Sequence, residues 1–303
     1  MNPPPPVIEI TDLHRAYGKL DAVNGLNLTV APGRCYGFFG RNGAGKTTTI
    51  KCLLDLLKPA AGTVRLFGMD PAKDEVAVKS RLAWVPDTVA FYPWMRIQGY
   101  FEYLASFRQH WNAEMERSLS EQFELDPTRK VNDLSKGQKM QVALIGALCP
   151  EPELLVLDEP TSGLDPLVRR EFIRTVIGAY QEGDPERRTV FVSTHLITEF
   201  EGLIDEFTII DRGKDILRME TETARQEFRK ITARFPAGTK PELNGTPCLY
   251  SRLDGQEAEL FVRGPADEAI ASVKSLGAET VEEESLSLEE IFLATLNAVK
   301  AGK

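Results

Sequence analysis

The stretch Gly40-Arg41-Asn42-Gly43-Ala44-Gly45-Lys46-Thr47, followed by Thr48 and Thr49, sets glycines, a lysine and a run of hydroxyls close together. Its spacing of glycine, four residues, Gly-Lys and then Ser or Thr is that of a phosphate-binding loop. Glycines let backbone N–H groups converge on phosphate oxygens, and a helix starting behind them adds its positive dipole end. Lys46 would reach the β- and γ-phosphates, and the Thr47 hydroxyl would ligate Mg²⁺. Farther along, Asp158 and Glu159 close the apolar run Leu154-Leu155-Val156-Leu157. One carboxylate there would serve Mg²⁺, directly or through water, and its neighbour would orient or deprotonate a water. Thr194-His195 ends another short run that reads as a buried strand, Thr189 to Ser193. Together these groups describe a nucleotide site.

Each group needs an element to hold it. Cys35-Tyr36-Gly37-Phe38-Phe39 reads as a short buried strand ahead of the loop, and Ile50, Leu53, Leu54 and Leu57 recur at helical spacing behind it until Lys58-Pro59. The run before Asp158 suits a buried parallel strand, which delivers both carboxylates at the sheet edge where α/β folds hold ligands. Thr189 to Ser193 is a second strand of this kind. Val7 begins an antiparallel region running to about Val30, within which Tyr17 is an aromatic able to stack on a base. Gly62 to Phe67 and Arg81 to Val85 read as strands, and Ala113 to Phe123 as a solvated helix. Asp133-Leu134-Ser135-Lys136-Gly137-Gln138 opens a helix with Met140, Ala143, Leu144 and Ala147 on one face. Another helix runs from about Leu167 to Gln181, and Phe207 to Asp211 with Asp215 to Met219 form a hairpin across Arg212-Gly213. The expected fold class is α/β: a parallel sheet flanked by helices, an N-terminal antiparallel β region and an inserted helical subdomain at about 88–150.

Beyond about Arg225 the character changes to short strands near Ile231 to Phe235, Leu249 to Leu253 and Ala258 to Val262. A helix from Ala266 to Leu276, a last short strand and the helix Leu288 to Val299 complete a small α+β module. The expected division is therefore 1–225 and 226–303. Length, 303 residues, leaves room for both, and 42% apolar with 27% charged residues describes an ordinary globular chain. A net charge of −9 without basic runs argues against a nucleic-acid surface. Cys35, Cys52, Cys149 and Cys248 lack metal-ligand spacing and fit a reduced cytosolic setting. No signal core or membrane span is apparent, so any action at a membrane requires a partner. One surface for such a partner is the stretch Phe91 to Trp111, where eight aromatics fall in twenty-one residues. Ile97, Phe101 and Leu104 fit one helical face, so some of these aromatics are core; two readings stay open for the cluster, core alone and core with an exposed docking surface.

Over roughly residues 7 to 220 the chain resembles the nucleotide-binding subunit of ABC transporters. Leu134-Ser135-Lys136-Gly137-Gln138 is similar to that family's signature, Leu157-Asp158-Glu159-Pro160 to its second Walker motif, Ser162-Gly163-Leu164-Asp165 to its D-loop, and Ser193-Thr194-His195 to its switch histidine. Tyr17 matches the adenine-stacking aromatic. Ser287-Leu288-Glu289-Glu290-Ile291-Phe292-Leu293 resembles the ending of the ABC-2 type exporter branch. The resemblance implies a P-loop NTPase core and a Mg²⁺-dependent ATPase. It implies a head-to-tail dimer, homomeric or heteromeric, with two ATP molecules between phosphate loops and opposing signatures. A separate transmembrane permease would hold this dimer at the inner face of the cell membrane. Glu159 would be the general base, His195 would sense the γ-phosphate, and the nucleotide would be held by Tyr17, the loop from Gly40 to Thr48, Ser135, Gly137, Gln138 and Asp165. The metal would sit by Thr47, Asp158 and Asp87.

Three residues depart from the family pattern. Arg41 stands for proline, Lys136 for a glycine of the signature, and Asp87 for the glutamine or glutamate that follows Trp84-Val85-Pro86. Two rival readings are a soluble non-transport ABC ATPase and a catalytically weak regulatory subunit. The single domain and the 87 residues between Thr47 and Ser135, which hold no heptads, oppose the first. Intact Lys46, Asp158, Glu159 and His195 oppose the second.

Overall fold

The computed structural model describes residues 5–181, 188–239, 241–243 and 245–301. The run Pro3 to Pro6, whose composition reads as a short extended polyproline tail, lies within them only at Pro5 and Pro6. By its internal contacts the chain divides into two units, Met1–Ile204 with Ile210–Asp215, and Asp205–Ile209 with Ile216–Lys303.

In the first unit β1 (Ile8–Tyr17) and β2 (Leu20–Val30) form an antiparallel hairpin whose alternation buries Ile8, Ile10, Leu26 and Leu28. The strand β3 (Cys35–Gly40) is buried at every position, and α1 (Lys46–Leu53) leaves directly from the glycine loop. The apolar spacing predicts this helix to Lys58, but it stops at Leu53. Asp55 takes a φ of 56°, and the N–H groups of Leu56 and Leu57 both return to the Lys51 carbonyl. Next, β4 (Ala61–Leu66) pairs with β1 to give a three-stranded sheet, order β2-β1-β4.

A helix that the sequence pattern misses, α2 (Glu75–Arg81), precedes β5 (Leu82–Val85), so the strand expected from Arg81 starts one residue later. Val78 alone is buried in α2, which leaves no periodic apolar face to mark it. The inserted helices are α3 (Ile97–Ala105), α4 (Ala113–Gln122) and α5 (Lys136–Leu148). Helices α3 and α5 approach closely at Gly146, where a Cβ would stand 2.6 Å from Leu104 Cδ1.

Then come β6 (Leu154–Asp158), α6 (Pro166–Gln181), β7 (Thr189–Thr194), α7 (Ile197–Phe200), β8 (Glu206–Asp211) and β9 (Lys214–Glu220). A six-stranded sheet has the order β5-β6-β7-β3-β8-β9. Its β5, β6, β7 and β3 run parallel, with Val85 beside Leu157, Asp158 beside Ser193 and Phe39 beside Thr194. That register brings four strand ends to one edge. Asp87, the Asp158-Glu159 pair, His195 and the glycine loop follow those ends, where α/β sheets hold their ligands.

The second unit continues with α8 (Thr221–Glu227), another helix the pattern misses, and then β10 (Phe228–Arg234), β11 (Tyr250–Asp254), β12 (Glu257–Arg263), α9 (Asp267–Ser275), β13 (Thr280–Ser285) and α10 (Leu288–Lys300). Its four strands form an antiparallel sheet, order β11-β12-β10-β13. Ile231, Ala233, Leu260 and Val262 pack there with Ala269 and Val273 of α9. A capping box between Ser287 and Glu290 starts α10. Among the described residues no helix is long and apolar enough to cross a membrane.

Candidate active site

The glycine loop is built by backbone constraints. Gly45 ends it with a φ of 108°, and a Cβ there would stand 2.3 Å from the Ala22 carbonyl oxygen. Gly40 is closed in by Ile210 and Ala44, each about 3 Å or less from where its Cβ would be. Gly43 has a φ of 83° but open space around it, so its demand is conformational rather than steric. Arg41, Asn42 and Gly43 are exposed, Thr47 and Thr48 half-buried, and Ala44 is buried. Arg41 in the place of proline leaves the turn intact, since its carbonyl accepts the Ala44 N–H at 3.0 Å.

Lys46 is buried, and its ammonium reaches three oxygens. It donates to the Gly40 carbonyl at 2.6 Å and the Arg41 carbonyl at 3.3 Å, and pairs with Glu159 Oε1 at 2.9 Å. The other Glu159 oxygen lies 2.7 Å from His195 Nδ1. Glu159 takes a left-handed φ of 48°, a conformation that costs a non-glycine residue about 1 kcal/mol. Its N–H donates to the Ser193 carbonyl at 2.8 Å, which fixes the turn to the neighbouring strand. Glu159 is thus held from both sides by a lysine and a histidine that arrive on different elements.

Asp158 is fully buried, and neither of its carboxylate oxygens has a partner of hydrogen-bonding geometry. Burial pushes its pKa up; the Thr47 and Ser193 hydroxyls nearby pull it part of the way back, and the charges of Asp87 and Glu159 add to the rise. Hard oxygen donors from a carboxylate and a hydroxyl are what Mg²⁺ takes, with phosphates and water completing its shell. Residues Asp158 and Thr47 therefore fit a magnesium ion. Asp87 is exposed beyond β5 and acts on Asp158 through its charge.

Tyr17 is 46% exposed at the end of β1, with the Arg15 guanidinium 5.3 Å from its ring centroid. From there the hairpin returns to Ala22, which abuts Gly45, so this aromatic stands on the strand pair that walls the loop. The remaining predicted residues gather in a second cluster. Ser135 caps α5, accepting the Gln138 N–H at 3.1 Å while Gln138 Oε1 accepts the Ser135 N–H at 3.1 Å. Gly137 lies against Val168, with 3.1 Å between its would-be Cβ and Cγ1. Asp165 Oδ1 accepts the N–H groups of Leu167 and Val168 at the start of α6, both at 3.1 Å. Lys136 opens α5 without a positive φ, so it brings none of the strain that replacing a glycine could impose. Its ammonium donates to the Ser162 carbonyl at 2.6 Å.

Sequence reasoning also misses Arg169. Its Nη2 donates to the Leu164 carbonyl at 3.1 Å, and its Nη1 pairs with Glu199 Oε1 at 2.5 Å. The signal was its place four residues after Asp165, one helical turn into α6. Ser193 of the Ser193-Thr194-His195 motif stands beside Asp158 in the register, a pairing the sequence does not mark.

Residues 23–162 match the ABC transporter family. A bacitracin transport ATP-binding protein of Bacillus licheniformis is 34% identical over 229 residues, which cover 74% of this chain and 73% of that protein. The chain belongs to the ABC transporter ATP-binding proteins. A Nod factor export ATP-binding protein I of Cupriavidus metallidurans is 33% identical over 302 residues, 95% of this chain and 96% of that one. The solved ATP-binding subunit of an ABC transporter shares the fold at a TM-score of 0.65 and 27% identity, over 73% of this chain and 92% of that chain. As an ABC ATPase the protein binds and hydrolyses ATP.

Proposed function

We propose that this ABC ATP-binding protein is the motor subunit of an ABC-2 type exporter. In this reading two ATP-binding subunits close head to tail around two ATP and drive a separate transmembrane permease. The observation that carries it is the Lys46–Glu159–His195 constellation at the ends of β3, β6 and β7, with contacts of 2.9 and 2.7 Å. Lys46 moves its ammonium from Glu159 to the β- and γ-phosphates, which frees Oε1 to accept a proton from the attacking water. His195 holds the opposite oxygen and contacts the γ-phosphate. The loop amides and Thr48 bind the phosphates, and Tyr17 stacks on adenine. Mg²⁺ held by Thr47 and Asp158, with Asp87 contributing charge, would neutralise phosphate oxygens in the transition state. Ser135, Gly137, Gln138 and Asp165 serve the nucleotide of the opposing subunit, consistent with their gathering in a separate cluster. Catalysis resides in 1–225, and 226–303 is an accessory module.

The permease is proposed to dock on the helical insertion. Tyr92, Trp94, Tyr103 and Phe107 are exposed and form a chain of ring contacts 5.0 to 6.3 Å apart. An adjoining groove of about 680 Å³ is lined by Leu56, Val76, Trp84 and Phe107. An apolar surface of this kind suits a protein partner, and it supports a peripheral position at the inner face of the membrane. The name of the Nod factor export relative, which matches both units, supports export, and that of the bacitracin relative supports transport.

Lys46→Ala tests the site at its base. ATP binding or hydrolysis is expected to weaken at least about tenfold, about 1.4 kcal/mol. Normal binding and turnover in that variant would move the reaction elsewhere.

A further inference from the structure

We infer that Lys136 is a positioning residue that ties the start of the signature helix to the turn carrying Glu159, and so connects the two ATP sites of a dimer. This rests on the head-to-tail reading above. Its ammonium, 2.6 Å from the Ser162 carbonyl, lies across Gly163, where a Cβ would stand only 2.7 Å from Nζ. Gly163 has a φ of 70°, so the loop beneath the lysine takes a form suited to glycine. Ser162 in turn donates its N–H to the Glu159 carbonyl at 3.1 Å, and Leu164 donates to the Thr161 carbonyl at 3.2 Å. Two hydrogen bonds thus lead from Nζ to the backbone of Glu159, whose left-handed φ makes its side-chain direction depend on this turn. Arg169 holds the far side of the same loop through the Leu164 carbonyl.

The opposite end of Lys136 supplies the second half of the inference. It is the first residue of α5, directly after Ser135, which stands at the helix N-terminus. In a head-to-tail dimer that N-terminus meets the ATP held by the partner's loop, whereas Glu159 serves the ATP held by its own chain. A side chain bonded across from one to the other carries occupancy of one site to the carboxylate of the other. A glycine at 136 has no atoms to make this link.

Steady-state ATPase of the full chain across ATP concentrations tests it, using wild type, Lys136→Ala and Lys136→Arg. Residue 136 is exposed and alanine is a good helix former, so the fold is kept, which a thermal melt checks. Lys136→Ala is expected to lower kcat about fivefold with KM within about twofold, and to lower the Hill coefficient toward one; Lys136→Arg, which keeps a cationic donor, recovers at least about half of kcat. Wild-type kcat and Hill coefficient in Lys136→Ala overturn the inference. So does a raised KM with kcat kept, which puts the ammonium on nucleotide, and so does no recovery by arginine. Failure of the dimer reading has its own signature: Glu159→Gln remains monomeric with ATP and wild type shows no cooperativity, which removes the coupling as well.

Discussion

Asp158 is a carboxylate buried completely at the site. Burial opposes its ionisation, and the Thr47 and Ser193 hydroxyls offset this only in part, hence the raised pKa. The folded state then holds a proton on Asp158 more tightly than the unfolded chain does. The stability this confers is present below the ordinary carboxylate pKa and is lost as pH rises through the raised value, so at neutral pH the charge is a liability. Asp158→Asn is therefore expected to raise the melting temperature of the nucleotide-free protein at pH 7 by about 2 °C or more while abolishing turnover. The gain should shrink as the buffer is taken down through the carboxylate range. An unchanged or lower melting temperature at pH 7 would mean the carboxylate is already satisfied. Stability exchanged for a ligand site in this way is common where a cation is to be bound.

The strand–loop–helix around Lys46 was legible because each part carries its own signal. A fully apolar strand, glycines at fixed spacing and a helical apolar period coincide there. The same holds for β6, apolar until Asp158, and for β7, whose Val190-Phe191-Val192 is apolar ahead of Ser193-Thr194-His195. What escaped has a physical reason: α2 buries only Val78, and α8 is a short helix between two strands, so neither displays a face. The end of α1 was misplaced because Leu54 and Leu57 continue the apolar period into a turn. Contacts such as Lys136 to Ser162 join residues 26 positions apart and leave no periodic trace. The loop itself yields a graded prediction. Gly45→Ala forces a Cβ to 2.3 Å from a backbone oxygen, whereas Gly43→Ala meets open space. Gly45→Ala should cost at least about 2 kcal/mol by urea denaturation and lose ATP binding, while Gly43→Ala should cost about 1 kcal/mol. Equal effects at the two positions would show that the Ala22 contact does not shape the loop.

For the whole molecule, the aromatic stretch holds both core and exposed rings, which decides between the two readings its composition left open. Phe101 is buried at 3% exposure, burial pushes the Tyr100 hydroxyl pKa up to about 12, and Trp94 is 70% exposed. Replacing Tyr92 and Trp94 together with serine should spare ATPase activity of the isolated protein to within about twofold and abolish its recovery with permease-containing membranes. Retained membrane association would place docking elsewhere. The proposed motor further requires that the bond-breaking step be separable from closure of two chains on ATP. In that proposal Glu159, held by Lys46 and His195, is the group that takes the proton of water. The most direct measurement is gel filtration of Glu159→Gln with ATP and Mg²⁺, alongside its ATPase rate. A stable ATP-dependent dimer with turnover reduced at least about a hundredfold is the expected result. Hydrolysis near the wild-type rate, or a monomer at saturating ATP, would contradict it.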